Sequence, residues 1–325
     1  MNSAFSLQSI IGTVLGISVL LVVLLSSAAV LIWLERRLLG IWQDRLGPNR
    51  VGPLGIGQVV ADMIKIFTKE DWVPPFADRS VFILAPSIVV IAMLMAFVVI
   101  PFSPTLGISD LNIGLLFFLA MSSLAAYSVM LAGYSSNNKY SLIGGLRAAA
   151  QTVSYEVFMG LALMGVVILA DSFNLRHIVQ AQEQQGWFII PQFCGFVVFL
   201  IAGIAESHRL PFDLPEAEHE IVAGFHTEYS GMKFGLFFIG EYLGVILISS
   251  MITTLFFGGW LGPWLPPLAW FILKTFVFIC FFILLRAAIP RPRYDQLMLF
   301  GWKFMLPLAL INLVATGAVV LVQEG

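Results

Sequence analysis

"IIGTVLGISVLLVVLLSSAAVLIWL" occupies residues 10–34 and contains no charged side chain over 25 positions. A helix that crosses a bilayer needs about 20 mostly apolar residues, so this run is long enough to span. No basic residue precedes it, and it exceeds the roughly 7–15 residues of a typical signal-peptide core. It is read as a first membrane span retained in the mature chain. The whole sequence follows its lead: 325 residues are 59% hydrophobic and 11% charged, with a mean hydropathy of +0.94. Soluble domains carry about 25% charged residues. The surplus apolar surface must therefore face lipid.

Eight windows qualify as spans: 10–34, 81–101, 112–133, 153–171, 189–206, 236–257, 265–286 and 303–322. Lipid leaves every backbone group to be satisfied inside its own segment, which selects helices. Barrel-type alternation is absent. The expected fold is an all-α polytopic membrane protein, one membrane domain over 1–325, with long cytoplasmic loops at about 36–80 and 207–235. Basic residues set the orientation. Arg36, Arg37, Arg45, Arg50, Lys65, Lys69 and Arg79 follow span one, and Lys139, Arg147, Arg209, Lys233, Arg286, Arg291, Arg293 and Lys303 fall on the same side. The opposite side has only Arg176. The positive-inside rule makes the first side cytoplasmic and both termini external.

Within the first loop, "QVVADMIKIFTKED" places Gln58, Asp62, Lys65 and Lys69 on one helical face and Val59, Met63, Ile66 and Phe67 on another. An amphipathic helix in the membrane interface is expected there, resting on lipid or walling a cavity that opens from the bilayer. Cys194 and Cys280 lie in apolar runs and read as packing elements. A net charge of −2 offers no basic surface for nucleic acid. No phosphate loop, dinucleotide fingerprint or nucleophile triad is present.

Six ionisable residues fall in or at the ends of spans: Glu35, Glu156, Glu206, Glu241, Lys274 and Arg286. A charge at mid-membrane costs about 2.5–3.5 kcal/mol even on lenient scales, so such groups usually face a hydrated interior and pair. Glu35 and Arg286 are close enough to a span end to snorkel. Lys274, in "WFILKTFVF", is too deep for that, which points to an internal hydrated path. Between spans five and six, "LPFDLPEAEHEIV" (210–222) adds Asp213, Glu216, Glu218 and Glu220. If helical, it puts Asp213, Glu216 and Glu220 on one face with Glu218 turned away. Carboxylates held together raise one another's pKa, as a proton relay or charge-coupled switch requires. The plain alternative, a solvated acidic loop, sits poorly beside Pro211, Pro215, Ile221, Val222 and Phe225. His208, His219 and His226 share this loop, but "HEIVAGFH" spaces its pair at i+7, not the i+4 of a zinc site, and no metal is expected.

Five segments carry a resemblance: "ERRLLGIWQDRLGPNRVGPLGIGQVVADMIKIFTKED" (35–71), "YSSNNKYSLIGGLRAAAQTVSYEV" (134–157), "ESHRLPFDLPEAEHEIVAGFHTEYSG" (206–231), "FFGGW" (256–260) and "RAAIPRPRYDQLMLFGWK" (286–303). The chain resembles one membrane-arm family of bacterial respiratory complex I, the NADH:quinone oxidoreductase, whose mitochondrial relative is NADH dehydrogenase subunit 1. The resemblance implies a proton-pumping translocase in the inner (cytoplasmic) membrane, with quinone as substrate and no cofactor in this chain. It also implies FMN and iron–sulfur clusters in partner subunits, docking of the peripheral arm, and antiporter-like membrane-arm neighbours. By motif position, Arg36, Arg45 and Asp62 would flank the quinone chamber, with Asp213, Glu216, Glu218, Glu220 and Glu228 in the acidic loop beneath it. Glu35, Glu156, Glu206 and Glu241 would continue the path into the membrane, with Lys274 and Arg286 as basic partners. Two other readings stay open. One is the equivalent subunit of a membrane-bound hydrogenase or ferredoxin-fed complex. The other, a proton-coupled solute carrier, lacks the expected internal repeat.

Overall fold

The computed structural model describes residues 7–216 and 222–324. Every regular element among them is helical. The order is α1 (Leu7–Trp42), α2 (Gln58–Thr68), α3 (Arg79–Ala96), α4 (Gly114–Ser135), α5 (Lys139–Ala170), α6 (Leu175–Gln185), α7 (Phe193–Glu206), α8 (Gly231–Phe256), α9 (Pro267–Ala288), α10 (Tyr294–Phe300) and α11 (Leu306–Glu324). Short 3-10 turns lie at Leu214–Glu216 and Gly224–His226. Each of the eight apolar windows holds a helix. Seven are long enough to cross a bilayer; the last of these joins α10 and α11 into one span from Tyr294 to Gln323. The fifth window holds only the 14 residues of α7, about 21 Å at 1.5 Å per residue, short of a bilayer core of about 30 Å.

α8 is the hub. Its apolar window is 78% buried, against 22% for α1 and 17% for the last span, and α3, α9, α1, α7 and α2 pack around it. Small residues let them approach. A Cβ on Gly240 would meet Val89 of α3 at 3.0 Å, and one on Gly235 would meet Ile66 of α2 at the same distance. Ile66 thus turns toward protein, while Val60, Met63, Ile64 and Phe67 stay exposed. That is the amphipathic division expected of an interfacial helix.

Two helices start earlier than hydropathy indicates. α5 begins at Lys139, where the Asn138 side chain caps it by accepting from Tyr140 N at 3.0 Å. Its first turns carry Ser, Gly, Arg and Gln, which dilute the hydrophobic average, yet Gly144, Gly145, Ala148 and Gln151 are buried. The final span begins at Tyr294, with a π-turn over Gly301–Met305. Pro307 follows that turn and has no N–H to offer the preceding turn, a common cause of such widening.

At Gly144 the α5 backbone touches the Gly224–His226 turn. A Cβ there would stand 2.6 Å from Gly224 Cα, where only backbone could move. Gly144→Val is expected to destabilise the chain by about 1–3 kcal/mol through overpacking, read as a lower thermal midpoint of the detergent-purified protein.

Candidate functional site

Three helices and the turn after a fourth converge on one buried ionic cluster. α1 supplies Glu35, α8 supplies Glu241 and Tyr242, α9 supplies Arg286, and the turn after α7 supplies Arg209. The turn explains the last. α7 closes with Ser207 N bonded to Gly203 O at 3.0 Å, and His208 then adopts φ +50°. That left-handed step, unusual outside glycine, precedes Arg209, whose side chain runs into the protein and is 7% exposed.

Arg209 Nη1 donates to both Glu35 oxygens, at 3.2 and 3.0 Å. Its Nε stands 2.8 Å from Glu241 Oε1, but the N–H is not aligned on that oxygen, so this contact is an ion pair and not a formed hydrogen bond. The guanidinium also lies over the Tyr242 ring, 4.4 Å from its centroid, a cation–π contact. Tyr242 Oη donates to Glu35 Oε2 at 2.7 Å, and Arg286 pairs with Glu35 from the other side. Two carboxylates thus face two guanidiniums, which offsets the several kcal/mol of desolvation that each buried ion costs. Burial opposes the charge on Arg209, but Glu241 and Glu35 outweigh it and hold its proton above the ordinary arginine range.

Asp213 lies at the edge of this cluster, paired with Arg291 at 2.7 Å. Burial pushes its carboxyl up, against the opposing pull of Arg291, Arg286 and Arg209. On the inner side of α8, a cavity of about 120 Å³ is lined by Glu241, Glu206, His208, His226, Ser122 and Thr152, with phenylalanines closing it. That is room for several waters, and Glu206 Oε2 and His208 Nδ1 are buried there without a protein partner. Adjacent serines on α4 bind two carboxylates from different helices: Ser122 donates to Glu206 of α7 and Ser123 to Glu156 of α5. Burial, Arg209 and His226 lower His208 to about 4. Burial alone lowers His226 to about 4. Both imidazoles are neutral near pH 7.

On the outer side, an open cavity of about 490 Å³ is lined by Glu35, Arg36, Arg45, Phe238, Tyr242 and Arg286. Asp62 of α2 reaches its rim through Arg36, at 2.9 Å, while Gln58 steadies the other Asp62 oxygen at 2.8 Å. Glu228 accepts from Asn138 Nδ2 at 2.7 Å, tying the end of the loop to the start of α5. Glu218 and Glu220 lie outside the described residues, as does the helical reading of 217–220, and the Glu216 side chain is likewise undescribed. Lys274 stands apart. Its ammonium binds backbone carbonyls beyond the far end of α8, about 24 Å along the helix axis from Glu241. Among the described residues, no three His, Cys, Asp or Glu side chains are grouped as a metal site would need.

Sequence reading missed Arg209, Tyr242, Ser122 and Ser123 as members of the site. Arg209 is the one basic residue directly beside the acidic stretch, a signal that was present but was absorbed into the orientation count. Tyr242 adjoins Glu241. The serines carry no signal that separates them from ordinary helix-packing residues.

A family model described as NADH dehydrogenase matches residues 15–317. The chain is similar to the H subunit of the NADH-quinone oxidoreductase of Methylococcus capsulatus (Bath), at 73% identity over 293 residues, covering 90% of this chain and 92% of that protein.

Removing the central cation leaves Glu241 without its ion-pair partner and Glu35 with Arg286 alone. Arg209→Met is expected to cost about 3–5 kcal/mol, measured as a lowered thermal midpoint, and adding Glu241→Gln should recover part of it. The histidines set a pH dependence. The unfolded chain takes up protons at the ordinary value of 6.5, whereas the folded chain resists them to about 4. Their contribution to stability is therefore complete above pH 6.5 and declines as pH falls toward 4. The thermal midpoint should drop between pH 7 and pH 5, and the drop should shrink in the double variant His208→Asn, His226→Gln.

Proposed function

The chain belongs to the NADH dehydrogenase family, and on that premise we propose that it is the H-type membrane-arm component of a proton-pumping NADH:quinone oxidoreductase. It sits in the bacterial cytoplasmic membrane with both termini on the periplasmic side, an orientation supported by its basic loops. The outer cavity receives the quinone head group, with Arg36, Arg45 and Asp62 at its rim. Electrons come from the terminal iron–sulfur cluster of a peripheral-arm partner, itself fed from NADH through FMN. Antiporter-like membrane-arm subunits receive the output.

One observation carries this reading: Arg209 is shared by one carboxylate from each cavity. Glu35 lines the outer cavity and holds Arg209, Arg209 pairs with Glu241, and Glu241 shares the inner cavity with Glu206. Ser122 and Ser123 then link Glu206 to the neighbourhood of Glu156. Reducing a quinone to quinol consumes two electrons and two protons, so charge changes abruptly beside Glu35 and Arg286. In a poorly solvated site such a change alters the proton affinity of neighbouring groups. Arg209 has two carboxylates to share itself between. A shift in the charge of Glu35 therefore changes the hold on Glu241, and with it the balance around the inner cavity. Asp213 and Glu228, at the two described ends of the acidic loop, feed the same region. The 73% identity to a quinone oxidoreductase subunit favours the quinone-reducing branch over a hydrogenase or ferredoxin-fed relative.

Affinity purification of the tagged chain in mild detergent is expected to bring down flavin, iron–sulfur clusters and NADH:quinone reductase activity. A redox complex lacking NADH activity would move the chain to the hydrogenase or ferredoxin branch. In that complex, Glu206→Gln and Glu241→Gln are each expected to lower quinone reduction and vesicle acidification together, by roughly tenfold or more. Retention of both activities in both variants would rule out the carboxylate path.

A further inference from the structure

The "FFGGW" segment and Lys274 remain unexplained by the ionic cluster. We infer that residues 257–261 form a monovalent-cation site of backbone carbonyls and indole faces, whose permanent occupant is the chain's own Lys274 ammonium. The inference is independent of the quinone reading.

The site is built by the end of α8. Phe257 caps that helix, its N–H bonded to Thr253 O at 3.3 Å. Gly258 and Gly259 follow with φ +71° and +50°, conformations glycine adopts without cost from a side chain. Two successive left-handed residues bring the carbonyls of 257, 259 and 261 onto one point. Lys274 Nζ lies 2.7 Å from Phe257 O, 3.1 Å from Gly259 O and 2.6 Å from Leu261 O. An ammonium has three N–H donors, and three acceptors meet them. The Trp187 ring centroid is 4.8 Å from Nζ and that of Trp270 is 5.8 Å away, so aromatic faces cover part of the remaining surface.

The cage is held from outside. Trp270 Nε1 donates to Pro263 O at 2.8 Å. Gln182 accepts from Gly258 N at 2.9 Å and donates to Thr254 O at 2.8 Å. A Cβ on Gly258 would come within 2.9 Å of the Trp187 ring nitrogen, so the close fit of loop to indole needs glycine there.

Charged groups inside spans usually sit beside a countercharge. Among the described residues, Lys274 has no carboxylate partner. Carbonyl oxygens replace its hydration shell, as they do for cations in channel filters, and the negative end of the α8 dipole adds to the attraction. A helix end that exposes carbonyls within an apolar bundle would otherwise leave them unsatisfied. The ligand class is therefore a small cation bearing N–H donors.

The test is amide hydrogen exchange over residues 257–265 in the assembled complex. Lys274→Ala should speed exchange by about tenfold or more, because the loop loses its central bond. Methylammonium chloride should bring the rate back to within about twofold of the unaltered protein, while tetramethylammonium, which has no N–H, should not. Lys274→Arg keeps the charge but presents a planar fork instead of a tripod, and should fall between. Unchanged exchange in Lys274→Ala overturns the inference. So does an increase that methylammonium fails to reverse, or that tetramethylammonium reverses equally well. Full protection in Lys274→Arg would show that charge alone suffices, and overturns the cage. Should Lys274→Ala fail to assemble, Lys274→Gln carries the same comparison.

Discussion

A guanidinium in a poorly solvated interior must be matched by negative charge, and Arg209 meets that requirement with two carboxylates from separate helices. Glu35 comes from the first span and Glu241 from the central one. Their positions around one cation fix how α1, the turn after α7 and α8 sit relative to one another. Arg286 and Tyr242 complete the arrangement by satisfying Glu35 from two further directions. A carboxylate or guanidinium buried there without its partners would be costly, so the groups enter together. The cluster is thus a mutual condition: each helix is placed by groups on the others.

The same arrangement divides polar space into two compartments. One opens outward and is edged by arginines; the other is small and holds two histidines and two glutamates among phenylalanines. Glu35, Arg209 and Glu241 form the partition. This partition differs from an apolar wall in that one guanidinium is held from both faces, by Glu35 on one side and Glu241 on the other.

Much of the architecture was legible in hydropathy, since lipid admits long apolar helices and little else. What hydropathy could not show is where a helix continues through polar residues. The first half of α5 is held by Gly144, Gly145 and Gln151 buried against neighbours, a tertiary effect that no average over a window detects. Within the site, the residues that stood out were the misplaced ones, carboxylates in oily surroundings. Arg209 did not, because an arginine just past a span end is ordinary until a left-handed turn at His208 sends it back inside. Lys274 stood out as a charge within an apolar run, but the sequence offered no means of knowing that its acceptors would be main-chain oxygens.

The brevity of α7 has an electrical consequence. It ends at Glu206, on a polar cavity, after only 14 residues. A polar cavity set inside the apolar depth places Glu206 and its neighbour Glu156 partway along any membrane potential. A charge that moves beside them therefore does only part of the work of a full crossing, which is about 2.3 kcal/mol per elementary charge at 100 mV.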